Sequence, residues 1–116
     1  MRMWICDPTI LCQKHLCGMH VELHMFVGAM QKKIKMDGYI KNDLLEPLSI
    51  KEMHDKIASE MISRGYNHKS PLPNELVKNS ISKLNEKYLN HRINKQLSLN
   101  ELISRCDVCR SRYNVM

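Results

Sequence analysis

The stretch HLCGMHVELHMFVGAMQKK, residues 15–33, decides the fold. Leu16, Met19, Leu23, Phe26, Val27, Met30 and Ile34 recur at steps of three and four, which lays one apolar stripe along a long amphipathic helix. Asp37-Gly38 is a turn signal and is expected to end it. Beside the stripe stands a lone carboxylate, Glu22, seven residues after His15, with Gly18 between them. Seven residues are nearly two helical turns, so His15, Gly18 and Glu22 share one line on the helix surface, and Gly18 leaves room there.

Outward from this helix the same periodicity continues. Asp7-Pro8 reads as an N-cap and first helical position, opening a short helical segment through about Cys12. Ser49-Ile50-Lys51-Glu52 is a capping box, with Leu48 and Met53 spaced for a hydrophobic staple, so a second helix is expected from about Ile50. Met53, Ile57, Met61 and Ile62 would be its buried side. Gly65 stands where a left-handed residue follows the C-cap. Residues 67–73 form an extended, proline-bearing connection. Asn74 is spaced to cap a third helix carrying Leu76, Val77, Ile81, Leu84 and Tyr88, and Ser98-Leu99-Asn100-Glu101 to open a last one toward Cys106. No run of alternating Val, Ile, Thr and Tyr announces a sheet. The expected fold is all-α: a compact single-domain bundle of three to four helices with extended connections, spanning residues 1–116.

The chain has 116 residues and a formal charge of +6, which points to a polyanionic partner, nucleic acid first. Lys32, Lys33, Lys35 and Lys41 cluster at the end of the long helix, as a solvated face or a phosphate-contacting patch. Aromatic residues make up only 5% and methionines number nine, so the core is expected to be Leu, Ile and Met, and a binder built on stacking platforms is disfavoured. No stretch approaches the ~18 apolar residues of a membrane span, so a soluble, intracellular protein is expected. Five cysteines without a secretory signal argue against a disulfide framework and leave thiols or metal ligands.

Two patterns bear on metals. His20 and His24 share a helix face, but Glu22 lies about 200° round from His20, which is not the HExxH arrangement of a catalytic zinc helix. Cys106-Asp107-Val108-Cys109 is half of a structural zinc site, whose partners would come from Cys6, Cys12, Cys17 or a histidine. A lone CxxC is weak evidence, and ordinary reduced thiols are the plainer reading. Glu22 is either a boundary residue reaching water or a general acid/base in a groove.

The residues His15, Leu16, Glu22, Leu23, Gly28, Ala29 and Lys32 build the pattern HLxxxxxELxxxxGAxxK. It resembles the long helix of the phage-type pyrimidine-dimer DNA glycosylases, the endonuclease V enzymes of T-even phages. Arg64-Gly65-Tyr66-Asn67 is similar to the RGFN that ends that family's second helix. Laid on the pattern without gaps, Met1 falls where the family has its N-terminal threonine, and Arg2 falls on the family's arginine. The resemblance covers residues 1–33 and 50–67. Val21 and Met25 depart from it, standing where the family has arginines, and RCDVCRSRY, with Tyr113 its one ring, replaces an aromatic C-terminal segment.

The resemblance implies a DNA glycosylase with AP-lyase activity that uses an N-terminal α-amine as nucleophile, a helix glutamate as acid/base, and no catalytic cofactor. On this chain those are Met1 and Glu22, with Arg2 holding a phosphate and His15 orienting the site. Arg2 is bulky enough to block removal of the initiator methionine, so the Met1 amine is expected at the mature N-terminus. An α-amine is about a quarter free base near pH 7.4, where an ordinary lysine is about 0.1%. His20, His24, Lys32, Lys33, Arg64, His68 and Lys69 are the expected DNA contacts. The expected partner is damaged double-stranded DNA, with a pyrimidine dimer easing the kinking and flipping that expose the sugar, and the protein is expected to act as a monomer away from membranes. The rival readings are a non-catalytic basic helical DNA-binding module, with or without a CxxC zinc, and a zinc-dependent nuclease using the histidines.

Overall fold

The long helix forms in the computed structural model, which describes residues 1–68 and 70–115. This helix, α1 (Gln13–Gln31), buries Leu16, Met19, Leu23, Phe26, Val27 and Met30. The rest of the chain is arranged around it: α2 (Asp37–Lys41), α3 (Ile50–Ser63), α4 (Asn74–Ile81), α5 (Glu86–Leu89), α6 (Lys95–Arg105) and α7 (Asp107–Asn114). Single 3₁₀ turns at Pro8–Ile10 and Pro47–Ser49 precede α1 and α3. The described residues contain no strand, so the fold is all-α. A radius of gyration of 14.1 Å lies close to the ~13 Å of a well-packed chain of this length.

Helix α1 is the spine because both α3 and α4 pack against it. From α3 come Met53, Ile57 and Met61, and from α4 Val77; Phe26, Leu23 and Ile57 are wholly buried. The N-terminal residues lie extended across this core. Met3 is fully buried, its N–H donates to the Leu44 carbonyl at 2.7 Å, and the Trp4 N–H points at the Met19 sulfur at 3.3 Å. The first residue is thereby tethered close to α1.

Several local expectations change. Ile34 lies beyond the helix and is 54% exposed, because the chain leaves α1 through Lys33 in the left-handed region at φ 59°. Asp37 and Gly38 begin α2 instead of a turn. Ser49 does not cap α3. A 3₁₀ turn delivers helical backbone directly into Ile50, and the Ser49 hydroxyl donates to Glu46 instead, while Leu48 and Ile62 stay exposed. The last long helix starts earlier than its Ser98 signal, at Lys95, with Asn94 accepting from the Leu97 N–H, and Ser98 is buried within it. Leu84 and Tyr88 lie beyond α4, and the CxxC segment is helical, so among the described residues seven α-helical segments replace the three or four expected. Gly65 does take the left-handed conformation, at φ 83°, after Arg64 closes α3.

Glu46, 1% exposed, ties the second half of the chain to the entrance of α3. It accepts from the Ile93 N–H at 2.7 Å and from Ser49, and it pairs with Arg92 at 3.3 Å and Lys95 at 3.4 Å. Burial alone would push its carboxyl up, but the Ser49 and Ile93 hydrogen bonds and the two cations together pull it below the ordinary glutamate range. Glu46→Ala leaves the Ile93 amide without its acceptor while the half-exposed cations turn to water. Stability is expected to fall by about 2 kcal/mol, read from urea unfolding.

Candidate active site

One groove brings the N-terminus and the polar line of α1 together. Its walls are Met1, Arg2, Trp4, Lys14, His15, Gly18, Met19, Glu22 and Arg105, around a volume of about 410 Å³. His15, Gly18 and Glu22 are one wall, because α1 turns its apolar stripe to the core and leaves this line outward. Glu22 is half-buried, and among the described residues no hydrogen bond or ion pair ties down its carboxylate. Met1 is 37% exposed at the rim.

The opposite wall is a stack of charge on an aromatic ring. The Arg2 guanidinium lies 3.8 Å from the Trp4 ring centroid, and Arg105 approaches the same ring at 5.8 Å. Glu101 joins the two arginines, 3.1 Å from Arg2 and paired with Arg105. Arg2 Nε is buried and lacks a hydrogen-bond partner among the described residues. Trp4 meets His15 edge-on with ring centroids 6.2 Å apart. Burial, and then the positive charges of Lys14 and Arg105, hold His15 below the usual histidine value, against the opposite pull of Glu22.

Trp4, Lys14 and Arg105 were not singled out in the sequence. Trp4 had a signal: it is the lone tryptophan, two residues from Arg2, and alternate residues of an extended segment face one side. Arg105 had none, since only the packing of α6 brings it here. A wider depression of about 1020 Å³ lies elsewhere, lined by four carboxylates, Asp7, Glu52, Asp55 and Glu60, against two cations, Lys56 and Lys95, and by neither Met1 nor Glu22.

The residues expected to touch DNA separate into three groups. Lys32 and Lys33 are exposed at the end of α1. Arg64 is engaged inside the fold: it pairs with Glu60 at 2.7 Å and donates to the carbonyls of Leu11 at 2.7 Å and Pro8 at 3.2 Å, locking the first 3₁₀ turn to the end of α3. His24 and His68 each meet His20 and His54. Nε2 of His20 is 2.9 Å from that of His68, and Nε2 of His24 is 3.2 Å from that of His54. His20, His54 and His68 are close enough together to hold a metal ion. Lys69 lies outside the described residues.

The pyrimidine dimer DNA glycosylase family matches this chain over residues 1–74, the part that supplies Met1, Arg2, Trp4, His15 and Glu22. The chain belongs to that family. Comparison with curated proteins and with solved structures gives no match. Membership carries with it a DNA substrate and base-excision chemistry. Residues 75–116 lie beyond the match, although Glu101 and Arg105 of α6 complete the aromatic wall. No helix among the described residues is long and apolar enough to cross a membrane.

The histidine cluster carries a pH prediction. His20 and His24 are both held below the usual histidine value, first by burial. The like charges of His54 and His68 add to this for both, and that of His24 for His20, while a hydrogen bond to the Ser70 carbonyl opposes it. His54 also contacts Asp55 at 3.1 Å. In the unfolded chain these histidines take up protons near pH ~6.5, before the folded ones do, so stability is present above that pH and is lost as pH falls below it. Urea midpoints should decline through that window, and replacing His20 and His24 by Gln should flatten the decline.

Proposed function

We propose that this glycosylase is also an AP lyase acting on pyrimidine dimers or related damaged bases in double-stranded DNA, through a Schiff base formed by the Met1 α-amine. The observation that carries this reading is the shared groove of Met1 and Glu22, within the segment that the family covers. The amine attacks the deoxyribose C1′, the damaged base departs, and an iminium links the sugar to Met1. Removal of a C2′ proton then expels the 3′ phosphate by β-elimination, and water releases the amine. Glu22, the unpaired carboxylate in the same groove, handles the sugar's proton transfers and stabilises the cationic intermediate. His15 orients this wall.

Arg2 is the residue proposed to hold a phosphate at the scission point. Glu101 and Trp4 fix the plane of the guanidinium, so a phosphate reaching its exposed edge meets a cation already oriented. Lys14 and Arg105 extend the positive rim, and exposed Lys32 and Lys33 lie roughly 15 Å farther along α1, at 1.5 Å of rise per residue. Together they follow a DNA backbone rather than a single phosphate. The protein works as a monomer inside the cell, and no catalytic cofactor takes part.

Borohydride reduction in the presence of abasic-site DNA tests the proposal. A covalent adduct that maps to the Met1 amine is expected, on a chain whose intact mass begins at Met1. Glu22→Gln should retain DNA affinity within a few-fold and lose about 10²–10⁴ of strand scission. An adduct on a lysine would remove Met1 from its role. Tight binding with no adduct would instead favour a non-catalytic module.

A further inference from the structure

Three cysteines outside the proposed chemistry converge with His15, which also borders the groove, where α1 begins and α6 meets α7. The Cys12 sulfur lies 3.1 Å from His15 Nδ1 and 3.9 Å from the Cys106 sulfur, and the Cys109 sulfur lies 3.6 Å from the same Nδ1. All four ligand atoms fall within 4.8 Å of one another. A zinc ion with Zn–S ~2.3 Å and Zn–N ~2.05 Å at tetrahedral angles requires edges of ~3.8 Å between sulfurs and ~3.5 Å between sulfur and nitrogen. Three of the six separations, at 3.1, 3.6 and 3.9 Å, lie within about 0.5 Å of such edges, and the others are at most 4.8 Å.

Backbone N–H groups point at all three sulfurs. The Cys12 N–H points at the Cys109 sulfur at 3.2 Å, the His15 N–H at the Cys12 sulfur at 3.4 Å, and the Cys109 N–H at the Cys106 sulfur at 3.5 Å. Cys12 is the N-cap of α1 and Cys106 that of α7, so two helix N-termini direct their positive ends at the cluster. A disulfide would join two of the sulfurs and leave the third thiol and the imidazole unexplained. A tetrahedral ion uses all four.

We propose that Cys12, His15 Nδ1, Cys106 and Cys109 bind one zinc ion in a closed, structural Cys₃His site. Three thiols enter as thiolates and release their protons to solvent, the histidine enters neutral, and no position remains for substrate. The ion fastens α6 and α7, which lie beyond the family match, to the start of α1. It thereby holds Glu101 and Arg105 over Arg2 and Trp4. The proposal is independent of the Schiff-base chemistry.

The test uses the full chain reconstituted with zinc or cobalt(II). One zinc per chain is expected, with a lowered melting temperature once a strong chelator removes it. The cobalt form should show tetrahedral d–d bands and near-ultraviolet thiolate-to-cobalt charge transfer. Cys106, half-exposed, should resist alkylation in the zinc form and react after chelation. His15→Cys, which exchanges one zinc ligand for another, should keep the metal and gain thiolate intensity, whereas Cys106→Ser with Cys109→Ser should lose it. Wild-type protein that takes up no metal would overturn the proposal. So would bound cobalt without a thiolate band, which would place the ion on His20, His54 and His68. If the double variant fails to fold, the wild-type cobalt spectrum decides.

Discussion

The structure depends on the division of α1 into two lines that never exchange places. One line is apolar and fully committed: Leu16, Met19, Leu23, Phe26 and Met30 are at most 1% exposed, locked against α3 and α4. The other line, His15, Gly18 and Glu22, lies off that stripe and forms a wall of the groove. Because the apolar line is buried so completely, rotating the helix to bury Glu22 would expose several core side chains at a cost of about 1.5–3 kcal/mol each. The carboxylate is therefore held at the groove by hydrophobic burial on the other side of its own helix. The same packing anchors the residues next to Met1, since Met3 fills the core while its amide bonds to Leu44, and Met1 lines the groove.

A second dependence links parts of the chain that differ in how they relate to known proteins. The family covers residues 1–74, and the groove's nucleophile and carboxylate candidates lie within it. Glu101 and Arg105 lie outside, yet Arg2 owes its orientation to Glu101 as well as to Trp4. An arginine paired with one carboxylate and stacked on a ring keeps part of its donor set for a phosphate, and loses little conformational entropy when one arrives. The C-terminal helices are thus built into the wall of the groove. Glu46 supports the same assembly from the other side, gathering Ile93, Arg92 and Lys95 before α6 begins.

What the sequence revealed and what it withheld follow one physical division. The α1 stripe, the start of α3 at Ile50 and the left-handed Gly65 were legible because periodicity and backbone sterics are local. The capping box at Ser49 gave the right start for α3, although the Ser49 hydroxyl turns to Glu46 instead of capping it, whereas the box at Ser98 misled, since Ser98 is buried within α6. Arg64 read as a phosphate contact because an arginine in a basic chain carries no mark of its partners; the Leu11 and Pro8 carbonyls that engage it are more than fifty residues away. The alignment of His15 with Glu22 was legible from a seven-residue spacing. The other side of the groove was not, because Arg105 arrives through tertiary packing.

The same division explains the CxxC pair. Within its own segment Cys106-Asp107-Val108-Cys109 offers two ligands, and nothing local distinguishes a half-site from two idle thiols. The other two ligands stand at the opposite end of the chain, on the N-cap and first turn of α1, and the Cys12 and Cys106 sulfurs come within 3.9 Å although ninety-four residues separate them. His15 then belongs to two places at once: its Nδ1 faces the sulfurs while its ring edges the groove beside Trp4. A histidine bound through Nδ1 cannot serve there as a free proton carrier. It can hold a fixed wall, so in the proposed chemistry the proton transfers would fall to Glu22, the lone carboxylate that α1 turns outward.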